Sequence, residues 1–426
     1  MKKKIAVSVA FVLWGLFAVA QVTDFYNPQA LRYRNTEYSS TIASVQLHPK
    51  GAPMLDPVIR HRSAEILECS FDDLAGGLQT YRYTIAHCDA GWNPSDLAKN
   101  EYLEGYEDDE IRDYAFSFNT IQEYTHYSFT FPNEFIAPTL SGNYLLIVYT
   151  ETPDAPIFTR RFMIYESLIT VDGLIARRAV NPSEMGKSQE VNFSLLLGSL
   201  NVTDRRHVKV NLMQNGRWDH MHYNVEPRNV GYDKWDFEIQ PANYFEACNE
   251  YRNLNLKSFK YTADRIARIS SDANGYRVLL QPDPPRVFRP HVSETTLRGS
   301  MLIKTEDGRD DAIEGEYADV TFTIPFDFPL AGGNLFIIGK LTGNDLQPNA
   351  KMTFDYAAHA YNATLRLKQG FYNYLYVFQP DGSSAGECYR IEGNHYETLN
   401  NYSVMVYYRP VGARYDRLAG WSAFNM

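Results

Sequence analysis

Cysteine is scarce in this sequence: Cys69, Cys88, Cys248 and Cys388 are the four among 426 residues. That excludes a disulfide-dense scaffold, which is short and cysteine-rich. Positive charge is also in deficit, with 41 Lys and Arg against 51 Asp and Glu and a formal net charge of −10. Phosphate binding needs a basic field, so a nucleic-acid partner is excluded. After residue 20 no apolar run reaches the roughly 20 residues that a membrane-spanning helix needs. No nucleophile elbow, P-loop or His-Glu-x-x-His helix is read, and no helical pattern alternates with strands as βαβ winding would require. What the chain does have is 31 Tyr, 24 Phe and 5 Trp within 44% hydrophobic residues, the composition of a folded protein. Its length predicts two to four domains.

Lys2-Lys3-Lys4, an apolar stretch from Ile5 to Ala20 and the small-x-small exit Ala18-Val19-Ala20 read as a cleavable signal peptide over residues 1–20. Beyond it, apolar and polar residues alternate with period two, the mark of half-buried strands. Leu67, Cys69 and Phe71 form one such face, and Tyr81, Tyr83 and Ile85 the next. Tyr114, Phe116 and Phe118 follow, then Tyr127, Phe129 and Phe131, then Tyr144, Leu146 and Val148. Val191 to Leu197, Val208 to Leu212, Val320 to Ile324 and Tyr402 to Tyr408 continue the pattern. The economical solution is an all-β chain of tandem β-sandwiches, immunoglobulin-like or early-set, with minor helical insertions. The expected division is 21–166, 167–309 and 310–426. A helical insertion is expected from Ser95 to Asp113, opened by Pro94-Ser95. Asn215-Gly216 reads as a two-residue hairpin turn. Glu306 to Asp319 holds seven acids and one base, a self-repelling block expected to be an inter-domain connection; its spacing does not fit a calcium loop.

If Cys69 and Cys88 sat on neighbouring strands joined through Asp72 to Leu78, Cys69 would lie opposite Tyr81, so buried free thiols are expected for both. His87-Cys88-Asp89 juxtaposes three catalytic residue types, but adjacent strand residues point to opposite faces and the trio reads as structural. His220-x-His222 lacks further ligands at metal-site spacing and reads as a solvated strand face. No catalytic, cofactor or metal site is therefore expected. Trp92, Tyr102 and Tyr106, set among Gly and Pro, are candidate partner contacts.

Tyr81-Arg-Tyr-Thr-Ile-Ala-His-Cys-Asp-Ala-Gly-Trp-Asn-Pro-Ser95 resembles the signature of the type IX secretion system plug proteins. So do Tyr102-Leu-Glu-Gly-Tyr106, Ile111-Arg-Asp-Tyr114, Ser117-Phe-Asn-Thr120, Ser141-Gly-Asn-Tyr144, Leu367-Lys-Gln-Gly-Phe-Tyr-Asn-Tyr374 and Ile391-Glu-Gly-Asn-His-Tyr396. The likeness spans essentially the whole chain after residue 20. It implies a non-enzymatic periplasmic protein, associated with the outer membrane, that docks on the secretion system's large translocon barrel and closes it. The last unit, with Phe336-Ile-Ile-Gly-Lys-Leu341, also resembles early-set sandwiches of glycogen-binding modules, which implies a glycan-binding alternative. Thr342-Gly-Asn-Asp-Leu346, however, lacks the ring those modules stack on sugar.

Overall fold

A computed structural model describes residues 30–198, 200, 202 and 204–425, the side chain of 425 excepted. The signal peptide expected at 1–20 lies outside these residues. The chain is all-β, and its strands pair into sandwiches.

In the first unit, one sheet runs in the order Ile42–Pro49, Leu67–Asp73, Thr125–Phe131, Asp113–Phe116. The facing sheet runs Thr36–Glu37, Pro156–Tyr165, Gly142–Tyr149, Tyr81–Cys88, Asp109–Ile111. The alternating residues Leu67, Cys69 and Phe71 meet Tyr83, Ile85, Tyr144 and Phe162 in the core between the sheets. The register Phe71↔Tyr127 stacks those rings at 5.1 Å. Leu67–Asp73 and Tyr81–Cys88 are not neighbours, because Gly76 and Gly77, both at positive φ, arch the chain across to the opposite sheet. Cys69 and Cys88 are accordingly buried free thiols, one in each sheet.

The second unit pairs Thr170–Arg178, Ser188–Leu196, Lys234–Phe237 and Asn229–Val230 in one sheet. Its facing sheet is Val208–Gln214, Asn401–Tyr408 and Arg417–Asn425. The C-terminal strands thus complete a sandwich begun near residue 170. Between Tyr244–Glu246 and Asn401 the chain builds a third sandwich whose longest strands are Tyr317–Pro325, Ala360–Lys368 and Gly370–Pro380. Strand pairing therefore does not follow the expected cuts at 167–309 and 310–426. The third unit is inserted into the second, and the second is discontinuous in sequence. Cys248 and Cys388, bonded to each other with Cα atoms 5.4 Å apart, staple the neck of the insertion.

Two local expectations are corrected. The stretch expected to be helical over 95–113 holds one helical turn, Lys99–Tyr102, followed by the strands Leu103–Gly105 and Asp109–Ile111. Pairing with Ile136–Pro138 and with Tyr81–Cys88 overrides the local signal there. The acidic block does not link domains; it folds within the inserted unit because its carboxylates find donors. Asp307 accepts from Ser258 Oγ at 2.7 Å and Gln369 Nε2 at 2.7 Å, and Arg366 pairs with Asp319 at 2.8 Å. The Asn215-Gly216 turn forms, with φ of 51° and 68° and Arg217 N donating to Gln214 O at 2.9 Å. It does not close the expected hairpin: Val208–Gln214 pairs with Asn401–Tyr408, and the returning chain meets it at the isolated bridge Leu212↔His222.

The units are fixed to one another by buried polar contacts. Lys368 Nζ, on the inserted unit, lies 2.7 Å from Asp72 Oδ2 of the first and 4.2 Å above the Tyr124 ring. Tyr317 donates its hydroxyl to Asp72, and the Glu316 carboxylate takes the main-chain N–H groups of Ile121 and Gln122. At the other face of the first unit, an apolar layer that includes Val58, Leu145, Met213, Met405 and Leu418 joins it to the second.

Candidate docking surface

The expected partner contacts are placed by a tight turn and by a corner of the first sandwich. Asp89 accepts from the main-chain N–H groups of Gly91 and Asn93, both at 2.8 Å, and Trp92 N donates to Asp89 O at 3.0 Å. That Asx-type turn explains the aspartate of His87-Cys88-Asp89 structurally. It throws the Trp92 ring into the junction with the second unit, where 2% of it is exposed. There Trp92 meets Trp218 edge to face at 5.1 Å, and the Arg161 guanidinium sits 4.7 Å from one ring and 4.8 Å from the other. Arg161 is held by the Tyr33 carbonyl, with Nε at 2.9 Å and Nη2 at 2.6 Å. Trp92 is therefore an internal fastening, not an external contact. Trp92→Ala is expected to cost about 3 kcal/mol, as a large buried ring deleted from a packed site does, with docking preserved in the protein that remains folded. A pull-down lost at an unchanged melting curve would contradict this.

Tyr102 is also buried. Its ring packs beside His87 and Tyr144, and its hydroxyl donates to Ile85 O at 3.3 Å. Burial dominates the titration of this pocket, pulling His87 down to about 4 and pushing the Cys88 thiol up to about 12. Neither a protonated imidazole nor a thiolate is on offer at neutral pH. The reason the sequence misplaced Trp92 and Tyr102 is that Gly and Pro signal a turn without telling whether the turn meets water or another unit.

Tyr106 is the expected contact that lies open, 65% exposed and stacked on Phe135 at 6.1 Å. Gly105 makes this possible: at φ 97° it brings its Cα so near that an added Cβ would lie 2.2 Å from Phe135 O. Arg112, ion-paired to Asp109 at 2.8 Å, also lies over the Phe135 ring, at 5.5 Å. Immediately beyond Arg112 runs the edge strand Asp113–Phe116, exposed at all four positions. Tyr114, Phe116 and Phe118, expected to be a half-buried face, are 45%, 54% and 66% exposed. The alternation was legible; the missing cover was not, because it depends on where the facing sheet stops.

Other chemically suggestive groups resolve as structure. His222 stacks on Phe245 at 3.9 Å and bonds Ala242 O, while burial pulls His220 down to about 3, so the pair is packed and not a solvated strand face. Glu246, Cys248 and Cys388 bring ligand atoms within 4.8 Å, but the two sulfurs are bonded to each other and offer no thiolate. Gly382-Ser-Ser-Ala-Gly386 spells Gly-x-Ser-x-Gly; it forms a turn with Ser383 Oγ bonded to Ala385 O and no helix after it, so it is no nucleophile elbow. The segment after Phe336–Leu341, where a sugar-stacking ring would stand, is occupied by an inter-unit contact: Asn35 donates to Gly343 O and Trp218 N to Asn344 O. Clefts of about 400 and 550 Å³ run along the unit junctions and share Lys340, whose ammonium donates to Pro53 O.

Comparison with known proteins follows the same lines. The family described as "Type 9 secretion system plug protein 1st domain" matches residues 42–166, the first sandwich. A crystal structure of a hypothetical protein from Parabacteroides merdae superposes with a TM-score of 0.90 at 32% identity, over 93% of this chain and 100% of that one. FdeC, an Escherichia coli adhesin, aligns at a TM-score of 0.18 and 9% identity over 93% of this chain and 98% of that one, too weak to carry an argument. No curated protein matches. With the matched first domain and a relative that shares the architecture along its whole length, the chain belongs to the type IX secretion system plug protein family.

Proposed function

We propose that this protein is a non-enzymatic plug that docks on the periplasmic mouth of the type IX translocon barrel in the outer membrane and seals it between substrates. Family membership supports a role in that secretion system. The observation that carries the sealing role is the way the three sandwiches are fixed together. The Asp72–Lys368 pair at 2.7 Å joins the first unit to the inserted one, and the Trp92–Arg161–Trp218 clamp joins the first to the second. A stopper must resist deformation, and packed sandwiches joined by buried, directional contacts do so. A compact body of this length has a radius of gyration on the order of 20 Å, wide enough to cover a large pore. Residues 1–20 act as the export signal in this reading, and no transmembrane helix is needed: among the described residues none is long and apolar enough to cross a membrane.

The expected result is that deleting the protein makes the outer membrane permeable to large antibiotics only in cells that carry the translocon. Equal permeability with and without the protein, in cells shown to make the barrel, would sink the sealing role. The glycan-binding alternative is disfavoured by the inter-unit contacts that fill the region after Leu341.

A further inference from the structure

We infer that the open edge of the first sandwich, the strand Asp113–Phe116 with the Phe118 ring just beyond it, receives an extended apolar segment bearing basic residues from the translocon barrel, added to the sheet as a new strand. The inference rests on the plug reading and names the contact it would use. Tyr114 and Phe116 belong to the inward-facing set of their sheet, since Tyr114 lies 6.1 Å from the fully buried Tyr127. They are nevertheless exposed, because the chain leaves the facing sheet at Asp109–Ile111 and crosses at Arg112 into the edge strand, so the facing sheet ends before covering them. Phe118 extends the row at 66% exposure.

The strand Asp113–Phe116 pairs on one side with Thr125–Phe131, and among the described residues no strand lies on the other. Exposed edges are ordinarily protected by lysine, proline or a bulge. This edge, Asp-Tyr-Ala-Phe, has neither lysine nor proline, and its register is continuous. The strand is short and Asp113 is its one charge, so the edge is only partly blunted. An edge of that kind beside an uncovered apolar face is the arrangement that strand addition uses, with main-chain bonds giving affinity and alternate side-chain sites giving register.

Charge selects the occupant. Among the described residues Asp113 and Glu123 are exposed carboxylates without an ion-pair partner, whereas the nearby bases are committed, Arg112 to Asp109 and Arg366, which reaches the Gln122 side chain, to Asp319. At the far end Phe118 N donates to Ile313 O, which brings the acidic segment containing Asp310 and Glu314 alongside. A second copy of this chain would bring the same carboxylates against these and be repelled, as would an anionic lipid surface; a basic segment is attracted.

The test uses the full-length protein and the purified translocon barrel in detergent. Wild type is expected to bind, more weakly as salt rises, with the amides of residues 113–116 gaining hydrogen-exchange protection. Tyr114→Ser/Phe116→Ser/Phe118→Ser is expected to bind at least tenfold more weakly at an unchanged melting curve. Asp113→Lys/Glu123→Lys, which leaves the rings in place, is expected to weaken binding and flatten its salt dependence. Failure of wild type to bind the barrel would overturn the plug reading and this contact with it. Normal binding by both variants, with 113–116 showing no gain in protection, would overturn the contact alone. Concentration-dependent dimerisation of wild type that the triple variant abolishes would identify a second copy as the occupant and also overturn it.

Discussion

Replacing Cys248 and Cys388 together by serine is expected to lower the stability of the inserted unit by about 5 kcal/mol, the chain-entropy value for a cross-link closing a loop of this length. The bond spans 140 residues, and between its ends lies nearly all of the third sandwich. Without it, the unfolded insertion explores far more conformations, while the folded one is tethered through two connecting segments. The neck also carries buried charge. Arg217, 1% exposed, approaches Cys388 Sγ at 3.2 Å and pairs with Asp219 at 2.6 Å. The check is denaturant unfolding of the oxidised protein against Cys248→Ser/Cys388→Ser, followed by a probe in the inserted unit, because three units need not unfold in one step. Thiol counting gives an independent readout: with Cys69 and Cys88 buried and unpaired, the native protein exposes no reactive thiol, and the unfolded oxidised chain exposes two. An unfolding transition that reductant leaves unmoved would refute the stabilising role.

The second large effect is expected at the bond between the first and inserted units. Asp72→Ala removes a carboxylate that receives Lys368 Nζ at 2.7 Å, Tyr317 OH at 2.7 Å and His126 Nδ1 at 2.6 Å. Removing one partner of a buried pair leaves the other uncompensated, at a cost of about 3–5 kcal/mol. Burial already holds Lys368 below its usual 10.5 despite Asp72, and loss of the carboxylate removes the main interaction that opposes this shift. Replacing both members with Asp72→Leu/Lys368→Met should recover most of the stability, and a double-mutant cycle measures how much belongs to the pair.

The pH dependence has a definite sign. Burial by itself would raise Asp72, but Lys368 and His126 outweigh it and leave the carboxyl below its usual 3.8. Burial likewise works against Glu392, yet Arg252 and Arg286 hold it at about 2, below the usual 4.5. A carboxylate with a depressed native pKa contributes stability that is complete above its unfolded value and lost as pH falls through the folded one. The buried imidazoles act earlier in the same direction. With His87 pulled down to about 4 and His220 to about 3, the unfolded chain takes up protons that the folded one refuses, so stability is expected to fall from about pH 6.5. The two carboxylates add a further decline from about pH 4.5 towards pH 2, less steeply in Asp72→Ala. A profile level between pH 7 and 5 would show that the folded protein does not keep these imidazoles neutral.

Much of the fold was open to a reader of the sequence, for a local reason. A strand's side chains alternate, so Leu67, Cys69 and Phe71 declare a buried face wherever their partners come from. Asn215-Gly216 declares its turn in the same way, because positive φ costs those residues little. Tyr106 was rightly read as exposed, while Trp92 and Tyr102 were misread, since burial at a unit junction depends on residues such as Arg161 and Trp218 that are distant in sequence.

Alternation and family likeness, both properties of short segments, are what the sequence determined by itself: an all-strand chain of the plug family. The tertiary structure decided the rest. It placed 401–425 beside 208–214, making the third sandwich an insertion, and it gave the acidic block partners in Ser258, Gln369 and the first unit. It also ended the facing sheet at Ile111, leaving Tyr114, Phe116 and Phe118 open. Burial and partner choice are set by contacts between segments far apart in the chain, and no local pattern of residues encodes where a neighbouring sheet will stop.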